Sequence, residues 1–313
     1  MSATFSTAVV PPVGLIGLGQ MGAPIAGRLL DRGFALTVYN RSPAKAAPLI
    51  ARGARSADSP RAVGAAVGDG VLFTLLTDAR AVRTVLFGRR GAAAALLPGA
   101  VVADLSTIAP DESRAIAERL SARGVDFVDA PLGGSTDAAA AGELLIYAGG
   151  SPPSVDRVRP VLAAFARRIE RLGPVGAGAS MKLVNNLLSV GYVVLAGEAL
   201  AFADALGLDR ERVLDLLLDG GGNSRMLAAK RTAFGRREYP TRFALALAAK
   251  DLGLVQRAAR GVGGRSPLLR ELRRTAGEAI RAGHGAEDFA AVFEASLARF
   301  GRGPRPAAAT AGA

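Results

Sequence analysis

Apolar and polar positions change their period once along this chain, close to its middle. Up to about residue 173 short apolar runs alternate with longer stretches of helical spacing. The runs are Val13–Leu18, Ala35–Tyr39, Val71–Leu75, Val101–Asp104, Val125–Val128, Leu144–Ala148 and Ile169–Leu172. A helix over Ala23–Asp31 separates the first two runs, and helical patterns separate most of the others. Buried strands alternating with helices predict an α/β domain whose doubly wound sheet is mostly parallel. Beyond it nothing reads as a strand. Helical patterns cover Arg210–Leu218, Ser224–Thr232, Arg242–Ala259, Pro267–Ala282 and Ala286–Phe300, broken at Gly220–Gly222, Pro240, Gly261–Gly264 and Gly283–Gly285.

Between the halves lies one long stretch, Ala177–Leu206, with apolar residues on every side, as in a helix buried among others. At 1.5 Å per residue it is roughly 45 Å long, enough to leave one domain and form the spine of the next. The predicted organisation is a loose tail at 1–12, an α/β domain at 13–175, an all-helical domain at 176–302 joined to it by the shared helix, and a loose tail at 303–313.

Chemistry concentrates at the ends of the predicted strands. The first runs straight into Gly17-Leu18-Gly19-Gln20-Met21-Gly22 and then a helix. Gly17 permits the tight turn, Gly19 lets the backbone approach a pyrophosphate, and Gly22 lets helix and strand pack closely. The helix N-terminus then faces the anion. Set between a strand and a helix, with a second strand following, this pattern is a strong dinucleotide signature. The second strand ends in Tyr39-Asn40-Arg41-Ser42. An acid there would bind the 2′-hydroxyl of NAD; an arginine suits a 2′-phosphate instead. NADP(H) is therefore the expected cofactor, with NAD(H) second.

Three more strand ends invite attention. Leu76-Thr77-Asp78 forms a loop placed to lie over the cofactor. Asp104-Leu105-Ser106-Thr107 leads to Pro110; Ser106 and Thr107 read either as helix caps or as ligand-binding residues where open sheets bind ligands. Asp129-Ala130-Pro131-Leu132-Gly133-Gly134-Ser135-Thr136 reads either as a structural turn or as a set of N–H groups for a carboxylate. In the long helix Lys182 and Asn186 are four apart and share a face, with Asn185 beside them. Periodicity alone allows a solvated first turn or a catalytic pair on a rigid element.

Composition narrows the chemistry. The chain has no cysteine and one histidine, His284, which removes disulfides, thiolate metal sites, Cys nucleophiles and His-centred metal cages; no metal is expected. The net charge of +12 comes from arginines scattered among acids, and aromatics are 5% of residues, too few for stacking platforms, so no nucleic-acid partner is expected. A positive field still favours anionic substrates. Only Lys45, Lys182, Lys230 and Lys250 are lysines among 39 basic residues. A chain that uses arginine so freely keeps a lysine where a compact, deprotonatable ammonium serves. The most apolar run, Leu187–Gly197, is too short to span a bilayer, and the N-terminus lacks the features of a signal peptide. No membrane partner is expected, and the cytoplasm is the default location.

Together these residues resemble the β-hydroxyacid dehydrogenase family, which includes 3-hydroxyisobutyrate dehydrogenases and glyoxylate/succinic semialdehyde reductases. Five parts occur in the family's order over nearly the whole chain: GLIGLGQMG at Gly14–Gly22, DxSTxxP at Asp104–Pro110, DAP at Asp129–Pro131, GxGxxxKxxxN at Gly176, Gly178, Lys182 and Asn186, and Lys250-Asp251-Leu252. The resemblance implies a Rossmann domain followed by an all-α domain, and interconversion of a small β-hydroxy acid with its semialdehyde or keto acid. It implies that Lys182 is the catalytic lysine and Asn186 its neighbour in holding substrate. Ser106, Gly133 and Gly134 would grip the substrate's acid group, with Asp251 beside them. Gly17, Leu18, Gly19, Gln20, Met21, Gly22, Asn40, Arg41, Ser42, Leu76, Thr77, Thr107 and Lys250 would meet the cofactor. A homodimer or homotetramer acting on a small anionic substrate is the expected assembly.

One departure stands out. Family members commonly read Ser-Gly-Gly where this chain has Gly133-Gly134-Ser135. The serine hydroxyl is missing, or displaced by two residues, which leaves open whether the acid is a carboxylate or a sulfonate. Two rival readings remain at this level. Imine reductases share the fold but generally lack the lysine, and some non-catalytic relatives have lost it; intact Lys182 argues against both.

Overall fold

The structure, a computed structural model, describes residues 11–301. The tails expected at 1–12 and 303–313 lie outside the described residues, apart from Pro11 and Pro12. The chain divides into two compact units that part between Lys182 and Leu183.

Among the described residues of the first unit nine strands form one sheet: β1 Val13–Ile16, β2 Leu36–Tyr39, β3 Arg55–Ser56, β4 Val71–Thr74, β5 Val101–Asp104, β6 Asp126–Asp129, β7 Leu132–Gly133, β8 Leu144–Gly149 and β9 Ala166–Gly173. The order is β3-β2-β1-β4-β5-β6-β8-β7, with β9 also paired to β8. Strands β1 to β6 run parallel, in the order of a dinucleotide-binding sheet. Strand β8 runs antiparallel to β6 and β7 but parallel to β9.

Period-two alternation fills both faces of this sheet. Leu15, Phe73, Val101 and Ala103 point into one apolar layer. Ile16, Leu72, Val102 and Phe127 point into the other. On the first face Phe73 meets Phe165 edge-on, ring centroids 5.8 Å apart.

The long helix runs over Ala177–Ala205, 29 residues. By length and composition it could cross a membrane, although the run Leu187–Gly197 alone could not. Within the second unit, however, Val190, Val193, Val194, Leu200 and Ala201 of this helix join a core with Leu214, Phe234, Leu252 and Phe293. These residues pack as in a core helix, while Val184, Leu188, Tyr192, Leu195 and Phe202 of the same helix are exposed rather than buried among others.

The remaining helices are Arg210–Asp219, Arg225–Arg236, Leu245–Gly261, Pro267–Arg281 and Val292–Phe300. Two of them start later than the apolar pattern suggests, and Asp288 accounts for both. Its Oδ2 accepts from the Arg242 and Phe243 N–H groups, drawing them out of helical geometry, and its Oδ1 accepts from Ala290 N. Asp288 is buried and pairs with Lys230 at 2.8 Å, so that lysine holds a corner of the helical unit together.

Candidate active site

Strand β1 ends where Gly17 adopts φ +112°, and a Cβ there would run into the carbonyl oxygen of Leu75. A Cβ on Gly22 would strike the carbonyl oxygen of Gly17. A Cβ on Gly19, by contrast, would meet nothing within 4 Å. Two glycines therefore close the turn, and the third opens a cradle at the N-terminus of the helix Gly22–Asp31. No acid lies in that helix's first turn to compete with an anion. The cradle fits the pyrophosphate of a dinucleotide.

Asn40 braces this loop. Its Oδ1 accepts from Leu18 N at 3.0 Å, and its Nδ2 donates to the carbonyl of Ser42 at 3.0 Å. Arg41 and Ser42 follow, both exposed. Gln20 is exposed and Met21 packs partly against the first core. Thr77 is exposed immediately before Asp78, which caps the helix Ala79–Phe87 by accepting from Ala81 N.

Behind the loop, the ends of β4 and β5 are tied through buried Asp104. Its Oδ1 accepts from Thr74 Oγ1 at 2.7 Å and from Ser106 Oγ at 2.6 Å. Ser106 Oγ in turn accepts from Leu76 N at 2.9 Å. The serine's single proton is directed at Asp104, so in this rotamer it offers an incoming acid group no donor. Ser106 braces the loop at Leu76, and Thr107, half-buried, follows it.

The segment from Asp129 to Gly133 organises the start of the long helix. Asp129 Oδ1 accepts from Gly176 N and its Oδ2 from Ala179 N, each at 2.7 Å. Burial pushes its carboxyl up to about 7; those two N–H groups pull it down, and Asp104 adds to the rise. One turn further on, Lys182 Nζ donates to the carbonyl of Leu132 at 2.6 Å. Gly133 is buried, and exposed Gly134 adopts φ +134°. Ser135 does not replace the absent serine: its Oγ accepts from Ala138 N at 3.3 Å and caps the helix Thr136–Ala141.

In the second unit Asn186 Nδ2 donates to Asp251 Oδ2 at 2.7 Å, and Asn186 Oδ1 accepts from Asn185 Nδ2 at 3.1 Å. Lys250 Nζ lies 2.8 Å from Asp251 Oδ1. Asn186 and Asp251 are both buried. The carboxylate of Asp251 thus links Lys250 to Asn186 and fixes the orientation of the asparagine amide.

Asp104, Asp129 and Asn185 have no role in the motifs taken alone, yet they hold Ser106, Gly176 and Asn186. For the two aspartates a signal existed: each is the last residue of its strand, at the end where open sheets bind ligands.

Two family models match the chain. Residues 12–173 match the model of the NAD binding domain of 6-phosphogluconate dehydrogenase. Residues 176–296 match that of the NAD-binding region of NADP-dependent 3-hydroxyisobutyrate dehydrogenase. The chain is 34% identical over 287 residues to 2-(hydroxymethyl)glutarate dehydrogenase of Eubacterium barkeri, covering 90% of this chain and 93% of that protein. It is 32% identical over 285 residues to 3-sulfolactaldehyde reductase of Escherichia coli, covering 90% of this chain and 94% of that protein. Among solved structures, 3-hydroxyisobutyrate dehydrogenase from Salmonella typhimurium superposes with a TM-score of 0.84 at 34% identity, covering 91% of this chain and 99% of that one.

Proposed function

The chain belongs to the β-hydroxyacid dehydrogenase family, and from that premise we propose that it interconverts a small β-hydroxy acid and its semialdehyde or keto acid, using NADP(H) and Lys182 as acid and base. That it is an NAD(P)-dependent oxidoreductase follows from the family. The finer reading is supported above all by Lys182, whose ammonium is aimed by the Leu132 carbonyl beside Gly133. When bound, NADPH would supply a hydride for the carbonyl carbon. Gly17–Gly22, Asn40, Arg41, Ser42, Leu76, Thr77 and Thr107 would hold it, and Lys250 takes the same role by resemblance.

Lys182 itself handles the proton. As an ammonium it stabilises the oxygen that gains charge during reduction and donates a proton to it; in oxidation the amine takes the proton back. One of its N–H groups is given to Leu132, which fixes the direction of the others. Asn186 has a second amide N–H beyond the one given to Asp251, suited to orienting a substrate hydroxyl. The acid group of the substrate would lie at Gly133 and Gly134. A panel of small aldehydes and β-hydroxy acids, followed by NADPH absorbance, tests the reading, and turnover of none of them would end it.

The NADP preference makes a separate prediction. Arg41→Ala should weaken NADPH binding by roughly tenfold, about 1.4 kcal/mol, while sparing NADH. Titration of both cofactors checks it; equal losses, or a wild type that favours NADH, contradict it.

The reading also includes a homo-oligomer in the cytoplasm, dimer or tetramer. On the long helix Val184, Leu188, Tyr192, Leu195 and Phe202 are 46–65% exposed and recur every three, four or seven residues, a stripe suited to cover by a second copy. Light scattering should give at least twice the monomer mass of 31.9 kDa, and Leu195→Glu should lower it.

A further inference from the structure

The sheet gives a dinucleotide two directions in which to lay its halves. Strand β1 pairs with β2 on one side and with β4 on the other, and β4 pairs with β5. A pyrophosphate held at Gly17–Gly22 sits between them, where the strand order reverses. The end of β2 carries Asn40-Arg41-Ser42, suited to the adenosine half and its 2′-phosphate. The nicotinamide half then falls over the ends of β4 and β5, at Leu75–Thr77 and Leu105–Thr107.

The short loop after β4 is held at both ends and once in its middle. At its start Leu75 N donates to the carbonyl of Ile16 at 3.0 Å, and a Cβ on Gly17 would run into the Leu75 carbonyl oxygen. At its far end Asp78 caps the helix Ala79–Phe87. Between them the Leu76 N–H is given to Ser106 Oγ at 2.9 Å, with exposed Thr77 next in the chain. The serine that receives it is itself set in place. Its proton goes to Asp104 Oδ1 at 2.6 Å, and its backbone N–H points at the same oxygen from 3.2 Å. Thr74 Oγ1 donates to that oxygen at 2.7 Å, and the Asp104 carbonyl accepts from Ala130 N at 2.8 Å. Ser106 is 2% exposed and Asp104 1%.

We propose that Ser106, set by Asp104, is a positioning residue for the cofactor in this chain and does not grip the substrate's acid group. It holds Leu76 and Thr77 where the nicotinamide half of the dinucleotide lies. The inference rests on the proposed function, since it concerns the dinucleotide named there. A hydroxyl has one proton, and this one is given to Asp104 while the oxygen accepts from Leu76. A substrate carboxylate or sulfonate, an acceptor only, could claim the proton only by breaking that set. Without the serine oxygen the Leu76 N–H loses its acceptor, and the loop from Leu75 to Asp78 is held at its two ends alone.

Binding separates the two roles without any turnover. Fluorescence titration gives the Kd of NADPH, and competition gives that of adenosine 2′,5′-bisphosphate, which lacks the nicotinamide half. Should the wild type prefer NADH, NADH and 5′-AMP take their places. Ser106→Ala should weaken NADPH about fivefold, as loss of one hydrogen bond does, and leave the fragment within about twofold. KM for the acid substrate at saturating cofactor should also stay within about twofold. A serine that gripped the acid would do the reverse, raising KM and sparing the cofactor, and that result would overturn the inference. Equal weakening of NADPH and of the fragment would overturn it too, since a general loosening of the domain gives that pattern. Asp104→Asn should weaken NADPH by a similar factor, and the double variant should be no worse than the worse single one, because both act through one brace. Additive losses, or an Asp104→Asn chain that does not fold, would end the part given to Asp104 by making it structural, while Ser106→Ala still decides for the serine. A failed split beside intact turnover of the acid panel overturns this inference alone; a wild type that binds neither NADPH nor NADH overturns the proposed function with it.

Discussion

Replacing Lys182 with arginine should lower kcat by roughly 10²–10⁴-fold, the worth of a positioned acid–base group, with cofactor affinity and Tm close to wild type. The substitution is demanding because it keeps the charge. If Lys182 only anchored an anion, arginine would serve, and it could grip a carboxylate with two hydrogen bonds. Arginine does not release a proton near neutral pH, since its pKa exceeds about 12. Its planar fork is also larger than the ammonium that reaches the Leu132 carbonyl at 2.6 Å, and it would displace whatever occupies the space beside Gly133. The chain's own usage sharpens the comparison. Of its other lysines, Lys230 is buried against Asp288 and Lys250 is paired with Asp251, while Lys45 is exposed. Steady-state kinetics, cofactor titration and thermal melting decide between outcomes. Retained turnover would move the proton donor elsewhere, to water first; parallel loss of cofactor binding or of folding would make Lys182 structural.

The α/β half was legible because most of its longer strands are apolar runs, several of them ending at a glycine or an acid, and because buried parallel strands need apolar residues on both faces. What was not legible has physical causes. Strands β3 and β7 are two residues each, Arg55–Ser56 and Leu132–Gly133, too short for any period to show. An apolar run carries no direction, so nothing in LLIYAG announced that β8 runs against β6. Strand β9 is longer than its apolar part and mostly exposed, as ARRIERLG suggests for a sheet edge. In the helical half Asp288 delays two helices by taking backbone N–H groups from a distant segment, which local propensity does not record. The motifs named positions and left the contacts unstated. The motifs point to Ser106 and Asn186 as substrate residues, and the structure adds what holds them, Asp104 and Asp251. Tyr147 lay inside a predicted strand; only the tertiary approach of β7 to β8 brings its hydroxyl to Gly133.

Asp129→Asn should remove a pH dependence that the wild type carries near neutrality and should lower kcat at pH 8, on the order of 10²-fold. The Asp129 carboxyl, 1% exposed, is pushed from 3.8 to about 7 by burial, against the pull of the Gly176 and Ala179 N–H groups. In the unfolded chain it ionises near 3.8, so between about pH 4 and pH 7 the folded state holds a proton that the unfolded state has released. Stability therefore falls as pH rises through that window, by a few kcal/mol at about 1.4 per unit of pKa difference. Asparagine does not titrate, so its slope over the same range should be flatter. Its cost lies in geometry. The carboxylate accepts from two backbone N–H groups at 2.7 Å each, whereas asparagine can offer one of them an oxygen and must turn its own N–H₂ toward the other. The neighbours leave little room to adjust, since a Cβ on Gly149 would lie 2.5 Å from Asp129 Oδ1. The first turn of the long helix must then shift, carrying Lys182 three residues beyond Ala179, and a displacement of about 1 Å at a reacting group is enough for a loss of that size. In the wild type kcat should rise through about pH 7 as the carboxylate forms and tightens the helix start. Melting curves and kcat from pH 5 to pH 8 for both proteins test the account; an Asp129→Asn variant that kept the wild-type slope, or matched its kcat at pH 8, would show that Asp129 does not position Lys182.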